Sequence, residues 1–318
     1  MKVIDLINNN TTGKPLFTFE LLPPVKGHSI EKLYKSIDPL IEFDPAYINI
    51  TYHQSEMVEV EQKDGSFVNR LVRKRPGTVA LAGAIQNKYN IPVVSNIICG
   101  GANIEDTEDT LIDLNFLGVN NILALRGDSK RSKVFIPEDD GYTNASELVE
   151  QIVDMNNGKY LTKDIFDMLK TDFCVGVAGY PEIHKEAKDM KSDLEFLKMK
   201  VDKGADYIVT QMFFDNKYYF DFVKACRDIG ITVPIIPGIK PISALNDINL
   251  LEPTFKIGLP EELVSEVKKC KTNREARAVG VEWCIMQSKE LAQVGVPGIH
   301  YYTLGMSRNI KKIAREVF

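Results

Sequence analysis

Eight positions in this 318-residue chain place a polar or aromatic side chain just after a short apolar run. They are Glu20, Thr51, Asn96, Arg126 with Asp128, Tyr180, Gln211, Lys240 and Tyr302. A carboxyl group can move protons, a guanidinium holds anions, an amide donates and accepts, and an amine can attack a carbonyl. The stretch from Asn120 to Asp128 is the centre of this pattern. Its first half reads as a buried strand, and Arg126 and Asp128 flank Gly127 at the tip. Charges there must pair, meet solvent or face a ligand, because burying either bare is costly. Gly127 permits a sharp turn or close backbone approach to a ligand. The plain alternative is a strand-end turn carrying a surface ion pair. There is no HExxH, GxSxG or P-loop, so zinc proteolysis, serine hydrolysis and Walker-type phosphoryl transfer lose support.

The elements that must hold these side chains follow from periodicity. Residues 1–14 read as a helix and a turn. Residues 15–22 read as the first strand, with Phe17 and Phe19 alternating against Thr18 and Glu20 and Pro23-Pro24 stopping it. Glu20 therefore points away from the two rings. Neither face of a closed parallel barrel is freely solvated, so a carboxylate there needs a purpose, either function or a buried ion pair. Ser29 to Phe43 reads as an amphipathic helix capped by Ser29. A second strand covers 46–50, and 54–77 reads as a long polar, basic loop. Helices are expected from Thr78 to Tyr89, from Asn103 to about Leu117, from Ala145 to Met155, from Lys185 to Lys203 and after Asp215. Further strands are expected near 91–99, 120–125, 172–181, 205–215, 233–241 and 298–303. Two or three helices fill 243–293, and a final helix closes the chain.

Eight apolar strands, each followed by a helical segment at roughly 40 residues per unit, are the arithmetic of a single (β/α)8 TIM barrel, an α/β fold. A doubly wound sheet is the runner-up, but its Gly-rich turn is missing after the first strand. The polar positions then gather at the C-terminal ends of the strands, the face where barrel enzymes carry their sites. That favours an enzyme over a binding or scaffold module. Net charge is -5, which does not suggest a nucleic-acid binder. No apolar run reaches membrane-spanning length, and no signal peptide is visible at Met1. Five scattered cysteines without Cys-x-x-Cys fit reduced thiols and a cytoplasmic protein.

Residues alone reach a barrel enzyme with an acid, an Arg-Asp pair and an amide donor. A resemblance goes further. Phe19-Glu20-Leu21-Leu22-Pro23-Pro24, Ile50-Thr51-Tyr52, Leu125-Arg126-Gly127-Asp128, Ala178-Gly179-Tyr180-Pro181-Glu182-Ile183-His184, Thr210-Gln211-Met212-Phe213-Phe214-Asp215, Ile236-Pro237-Gly238-Ile239 and His300-Tyr301-Tyr302-Thr303-Leu304 stand in the order found in methylenetetrahydrofolate reductases. The chain resembles that family over nearly its whole length. The resemblance implies a flavin-containing barrel that reduces 5,10-methylenetetrahydrofolate with NAD(P)H, by ping-pong transfer through FAD, in the one-carbon metabolism that feeds methionine. It makes Glu20 the catalytic acid, with a raised pKa, and Asp128 the carboxylate that stabilises the iminium ion. It assigns Thr51, Asn96, Arg126, Gly127, Asp128, Ala145, Ala178, Tyr180, His184, Asp193 and Lys200 to FAD. Glu20, Asp128, Gln211 and Tyr302 fall to substrate, and no metal is implied. Phe213 could line the stacking slot or serve the core. Asn96 stands where the family often has His, and a family aromatic falls near Leu251. The segment 136–170 is longer than in compact bacterial members. Residues 1–318 are expected to form one catalytic domain without the S-adenosylmethionine-binding regulatory domain, in a homo-oligomer. The competing classes are a barrel aldolase with Lys240 as Schiff base and a non-catalytic folate-binding subunit.

Overall fold

The computed structural model describes residues 1–127, 135–162, 167–303 and 305–318. Its order is α1 (Val3–Asn8), β1 (Leu16–Leu21), α2 (Ile30–Ile41), β2 (Tyr47–Ile50), β3 (Glu56–Glu61), β4 (Phe67–Val72), α3 (Thr78–Tyr89), β5 (Val93–Ile98), α4 (Ile104–Phe116), β6 (Asn121–Leu125), α5 (Ala145–Asn156), β7 (Cys174–Gly179), α6 (Met190–Asp202), β8 (Tyr207–Thr210), α7 (Asn216–Asp228), β9 (Ile235–Ile236), β10 (Gly238–Ile239), α8 (Asp247–Phe255), α9 (Glu261–Lys269), α10 (Asn273–Gln293), β11 (Gly298–Tyr302) and α11 (Ser307–Val317).

All strands but β3 and β4 join one parallel sheet in the order β10-β11-β1-β2-β5-β6-β7-β8-β9. The two ends of that order, β9 and β10, are halves of one stave separated only by Pro237. Proline has no N–H for the ladder, so the expected seventh strand breaks there. The sheet thus closes into an eight-stave (β/α)8 barrel. Alternation sorts the side chains. Phe17 and Phe19 join Ile48, Ile97, Ile122, Val175, Val177 and Ile208 in the layer between strands and helices. Tyr47, Val94, Leu123, Cys174, Tyr207 and Ile236 pack inside the barrel. Val3 of α1 joins this inner cluster, and its N–H donates to Asn121 Oδ1 at 2.8 Å. The N-terminal helix thereby caps the end of the barrel opposite the strand exits.

Three sequence expectations are corrected. Residues 54–77 are not a plain loop: β3 and β4 pair as an antiparallel hairpin turned at Gly65, which has φ +79°. The polar composition hid the alternation, because the hairpin stands out from the barrel with Phe67 65% exposed. Helix α6 begins at Met190 rather than Lys185, because Asp189 forms a capping box with Ser192. Ser29 occupies the N-cap of α2, but its hydroxyl bonds Glu31 instead of a backbone N–H. Asn103 and Asp215 do cap α4 and α7 through their side chains. Among the described residues no helix is long and apolar enough to cross a membrane.

Candidate active site

Glu20 is the next-to-last residue of β1 on the barrel-facing side, in register with Tyr302 of β11 and Asn49 of β2. Its carbonyl accepts from Thr303 Oγ1 at 2.7 Å, which ties the two strand exits together. The side chain is half-buried, and among the described residues no cation pairs with it. Burial therefore acts without compensation and pushes the carboxyl up to about 8. The alternative role for an inward carboxylate, a buried ion pair, is not formed among the described residues.

Around this acid the neighbouring side chains are held by their own hydrogen bonds. Tyr302 Oη donates to the Thr210 carbonyl at 2.6 Å. Its ring stands edge-on to His300, with centroids 5.2 Å apart. His300 is buried, with Nδ1 2.9 Å from Thr18 Oγ1, and burial lowers its pKa to about 3. Its imidazole is a neutral prop. Gln211 Oε1 accepts from the Met212 N–H at 2.9 Å, which leaves the amide nitrogen for a ligand. Asn96 is 4% exposed, and its Oδ1 has no partner among the described residues. An orphaned buried acceptor of this kind is what a ligand N–H would satisfy. Thr51 Oγ1 bonds the Leu21 carbonyl at 3.2 Å.

A second group forms at the β6 and β7 exits. Arg126 makes a bidentate pair with Glu186, at 2.7 and 2.8 Å, and lies 5.1 Å over the Phe135 ring. Arg126 is thus paired with Glu186, while Asp128, and with it the expected Arg-Asp pair, lies outside the described residues. Gly127 has φ +87°, and a Cβ there would meet Ile98 at 3.2 Å and Gln54 at 3.4 Å. His184 packs edge-on against Tyr180, with centroids 4.6 Å apart. Burial, with help from Arg126, lowers its pKa to about 4, so the ring is neutral. Its Nδ1 accepts from the Glu186 N–H at 3.2 Å. Asp193 accepts the His184 N–H at 2.7 Å, and Lys200 donates to the Ala178 carbonyl at 2.6 Å. Neither is a plain helix-surface residue, and burial lowers Lys200 to about 8 against the opposing charge of Asp193. Ala145 opens α5, half-buried.

Three sequence candidates serve the framework. Phe213 is fully buried and stacks on Tyr219 at 5.6 Å, the core alternative of its two readings. Leu251 is 6% exposed and packs with Met212, Phe214 and Ile242. Lys240 is 5% exposed, and its ammonium lies 3.2 Å from Asp247. A Schiff-base lysine needs a free amine beside substrate, and this one is tied in a buried ion pair. Glu186 and Gln54 were missed. Glu186 stands 60 residues from Arg126 and Gln54 stands 73 from Gly127, separations that no periodic pattern links, so only the fold brings them in.

Beside the mouth lies a cleft of about 550 Å³ between the β1 exit, α2 and the start of α11. Lys32, Lys35, Arg75, Arg277 and Arg308 line it. Among the described residues none of the five is in a carboxylate ion pair. Such a concentration of unneutralised charge attracts anions.

Fold and site together define a (β/α)8 barrel whose polar mouth centres on a protonated carboxyl group. The family model described as methylenetetrahydrofolate reductase matches residues 5–317. The chain is 32% identical to methylenetetrahydrofolate reductase (NADH) 1 of Arabidopsis thaliana, over 97% of this chain and 49% of that protein. It is 29% identical to 5,10-methylenetetrahydrofolate reductase of Escherichia coli (strain K12), over 92% and 87%. Among solved structures it resembles an uncharacterized Clostridium thermocellum protein that binds two copies of 5-methyl-5,6,7,8-tetrahydrofolic acid, with TM-score 0.57 and 14% identity over 98% and 96%. That likeness speaks to the fold. The chain spans about half the length of the plant relatives it matches. This chain belongs to the methylenetetrahydrofolate reductase family.

Proposed function

We propose that this chain reduces 5,10-methylenetetrahydrofolate to 5-methyltetrahydrofolate, with NAD(P)H as donor and FAD as carrier, in ping-pong order. The observation that carries the reading is Glu20: an inward carboxyl at the barrel mouth, without an ion pair among the described residues and raised by burial to about 8. Opening the methylene bridge requires a proton on the departing folate nitrogen, and a carboxyl in this state supplies it. Asp128 is assigned the companion role, its negative charge stabilising the iminium cation that results. Gln211 offers a free amide nitrogen to folate and nicotinamide in turn, and Tyr302 walls the same slot. The basic cleft suits the carboxylates at the glutamate end of the substrate.

FAD, when bound, would supply hydride transfer between nicotinamide and folate. The residues present fit such a group: an orphaned acceptor at Asn96, a backbone that approaches closely at Gly127, and cations at Arg126 and Lys200. Thr51, Ala145, Ala178, Tyr180, His184 and Asp193 complete the proposed cradle. A cytoplasmic setting agrees with five free cysteines.

The visible spectrum of the purified protein tests this. Oxidised flavin absorbance, bleached by anaerobic NADH or NADPH and restored by methylenetetrahydrofolate, is the expected result. Protein that takes up no FAD sinks the reading. Flavin that folate reoxidises but neither nicotinamide bleaches overturns the donor alone.

A further inference from the structure

The turn that leaves β7 is strained. Ile183 sits at φ +101°, which a β-branched residue adopts only when its surroundings force it. It lies between Tyr180 and His184, whose rings pack edge-on. Two ties run from this turn to the connection between α8 and α9. Glu182 Oε2 accepts the Gly258 N–H at 2.6 Å, and Lys256 donates from its ammonium to the Lys185 carbonyl. Lys256 is itself left-handed, at φ +52°, where it ends α8. The other end of α8 is braced as well, since Asp247 holds Lys240 at the β10 exit. Helix α8 therefore joins the seventh stave of the barrel to the fifth across the mouth. Glu182 Oε1, the second oxygen, is buried with no partner among the described residues.

We propose that Glu182 is a positioning residue: by gripping the Gly258 N–H it holds the strained turn so that Tyr180 and His184 stay set for the flavin. This rests on the flavin reading above, but the grip itself does not. Removing the carboxyl frees a backbone N–H and lets Ile183 relax, which disperses the two rings. A Cβ at Gly258 would come within 3.1 Å of Glu182 Oε2 and 3.5 Å of Tyr218 Oη, so the contact is close on both sides.

The grip also depends on pH. Burial raises Glu182 to about 7, and Asp215 at the start of α7 and Glu252 on α8 add to the shift, while the Gly258 bond opposes it. Lys256 and Lys185 of the facing segments are joined through a carbonyl, and Tyr218 adds a phenol. A carboxyl whose pKa is raised in the closed state favours closure fully below its free value. That advantage is lost as pH climbs through about 7. The buried arrangement of this turn is thus most stable in mild acid and least stable above neutrality, because burial outweighs the preference of the Gly258 N–H for the carboxylate.

Two readouts test this on the whole chain: FAD dissociation constants by absorbance titration, and amide exchange at Gly258 in flavin-free protein. In wild type, exchange at Gly258 beyond the intrinsic pH trend should rise about fivefold or more between pH 5 and 7.5. E182A should accelerate exchange at pH 6 and weaken FAD about tenfold. E182Q, which keeps the acceptor but cannot ionise, should restore both and flatten the pH dependence. Wild-type exchange that does not change with pH, or E182A with FAD affinity within twofold of wild type, overturns the proposal. If E182A melts at the working temperature, the E182Q profile decides alone. Wild type that binds no FAD overturns the positioning role and the flavin reading together, while the exchange data still report whether the grip exists.

Discussion

Glu20 and His184 move in opposite directions for one reason, since burial penalises whichever form carries charge. The carboxyl goes up to about 8 and the imidazole down to about 4, so both are neutral at pH 7. Glu20→Gln should therefore lower folate reduction by about 10²–10⁴-fold. The loss should fall on flavin reoxidation more than on flavin reduction in stopped-flow traces, and an equal loss in both would argue against an acid role. Wild-type folate reduction should fall as pH rises through about 8. The linkage has a stability side. A carboxyl raised from 4.5 to about 8 contributes fully below the lower value, and that contribution is lost as pH rises through the upper one. Melting of wild type and Glu20→Gln across pH 5 to 9 should show the variant gaining relative stability toward the alkaline end. Glu20 was legible from alternation with Phe17 and Phe19. The Arg126–Glu186 pair was not, because no local pattern links residues so far apart.

Elements place these side chains by close packing that tolerates little. Gly238 opens β10 with its Cα facing the Tyr302 ring, and a Cβ there would lie 2.2 Å from the Thr210 carbonyl and 2.7 Å from that ring. Gly238→Ala should cost about 3 kcal/mol in urea unfolding and weaken folate binding by displacing Tyr302. A variant of wild-type stability would mean the strand shifts freely. At the opposite end of the barrel, Asn121 Oδ1 takes the Val3 N–H and its amide donates to the Met1 carbonyl at 3.1 Å. Asn121→Ala should cost about 1–3 kcal/mol, since it leaves a buried N–H unpaired. Hydrogen exchange should report the loss first in α1. Element types were readable because apolar periods differ between strand and helix. Their ends were less so: the start of α6 depends on a cap at Asp189, and the break in the seventh stave on Pro237.

At the scale of the molecule, the chain is acidic overall yet concentrates in one cleft beside the mouth five cations that form no carboxylate ion pair among the described residues. That asymmetry steers anions to the site. Lys35→Ala combined with Arg75→Ala should raise the folate KM by up to about tenfold while changing kcat little. Rising salt should affect the double variant less than wild type. An unchanged KM at low salt would mean the cleft takes no part in substrate capture.

The sequence by itself determined the eight staves, the helices between them, and which polar residues fall at the strand exits. Those follow from local periods and stop signals, which need no knowledge of what lies across the barrel. Tertiary structure alone decided the state of each group. Burial raises the Glu20 carboxyl because among the described residues no cation reaches it, Lys240 is spent on Asp247, and Arg126 is held by Glu186. Solvation and pairing depend on neighbours distant in the chain, so the chemistry of a residue is fixed only when the fold has chosen its surroundings.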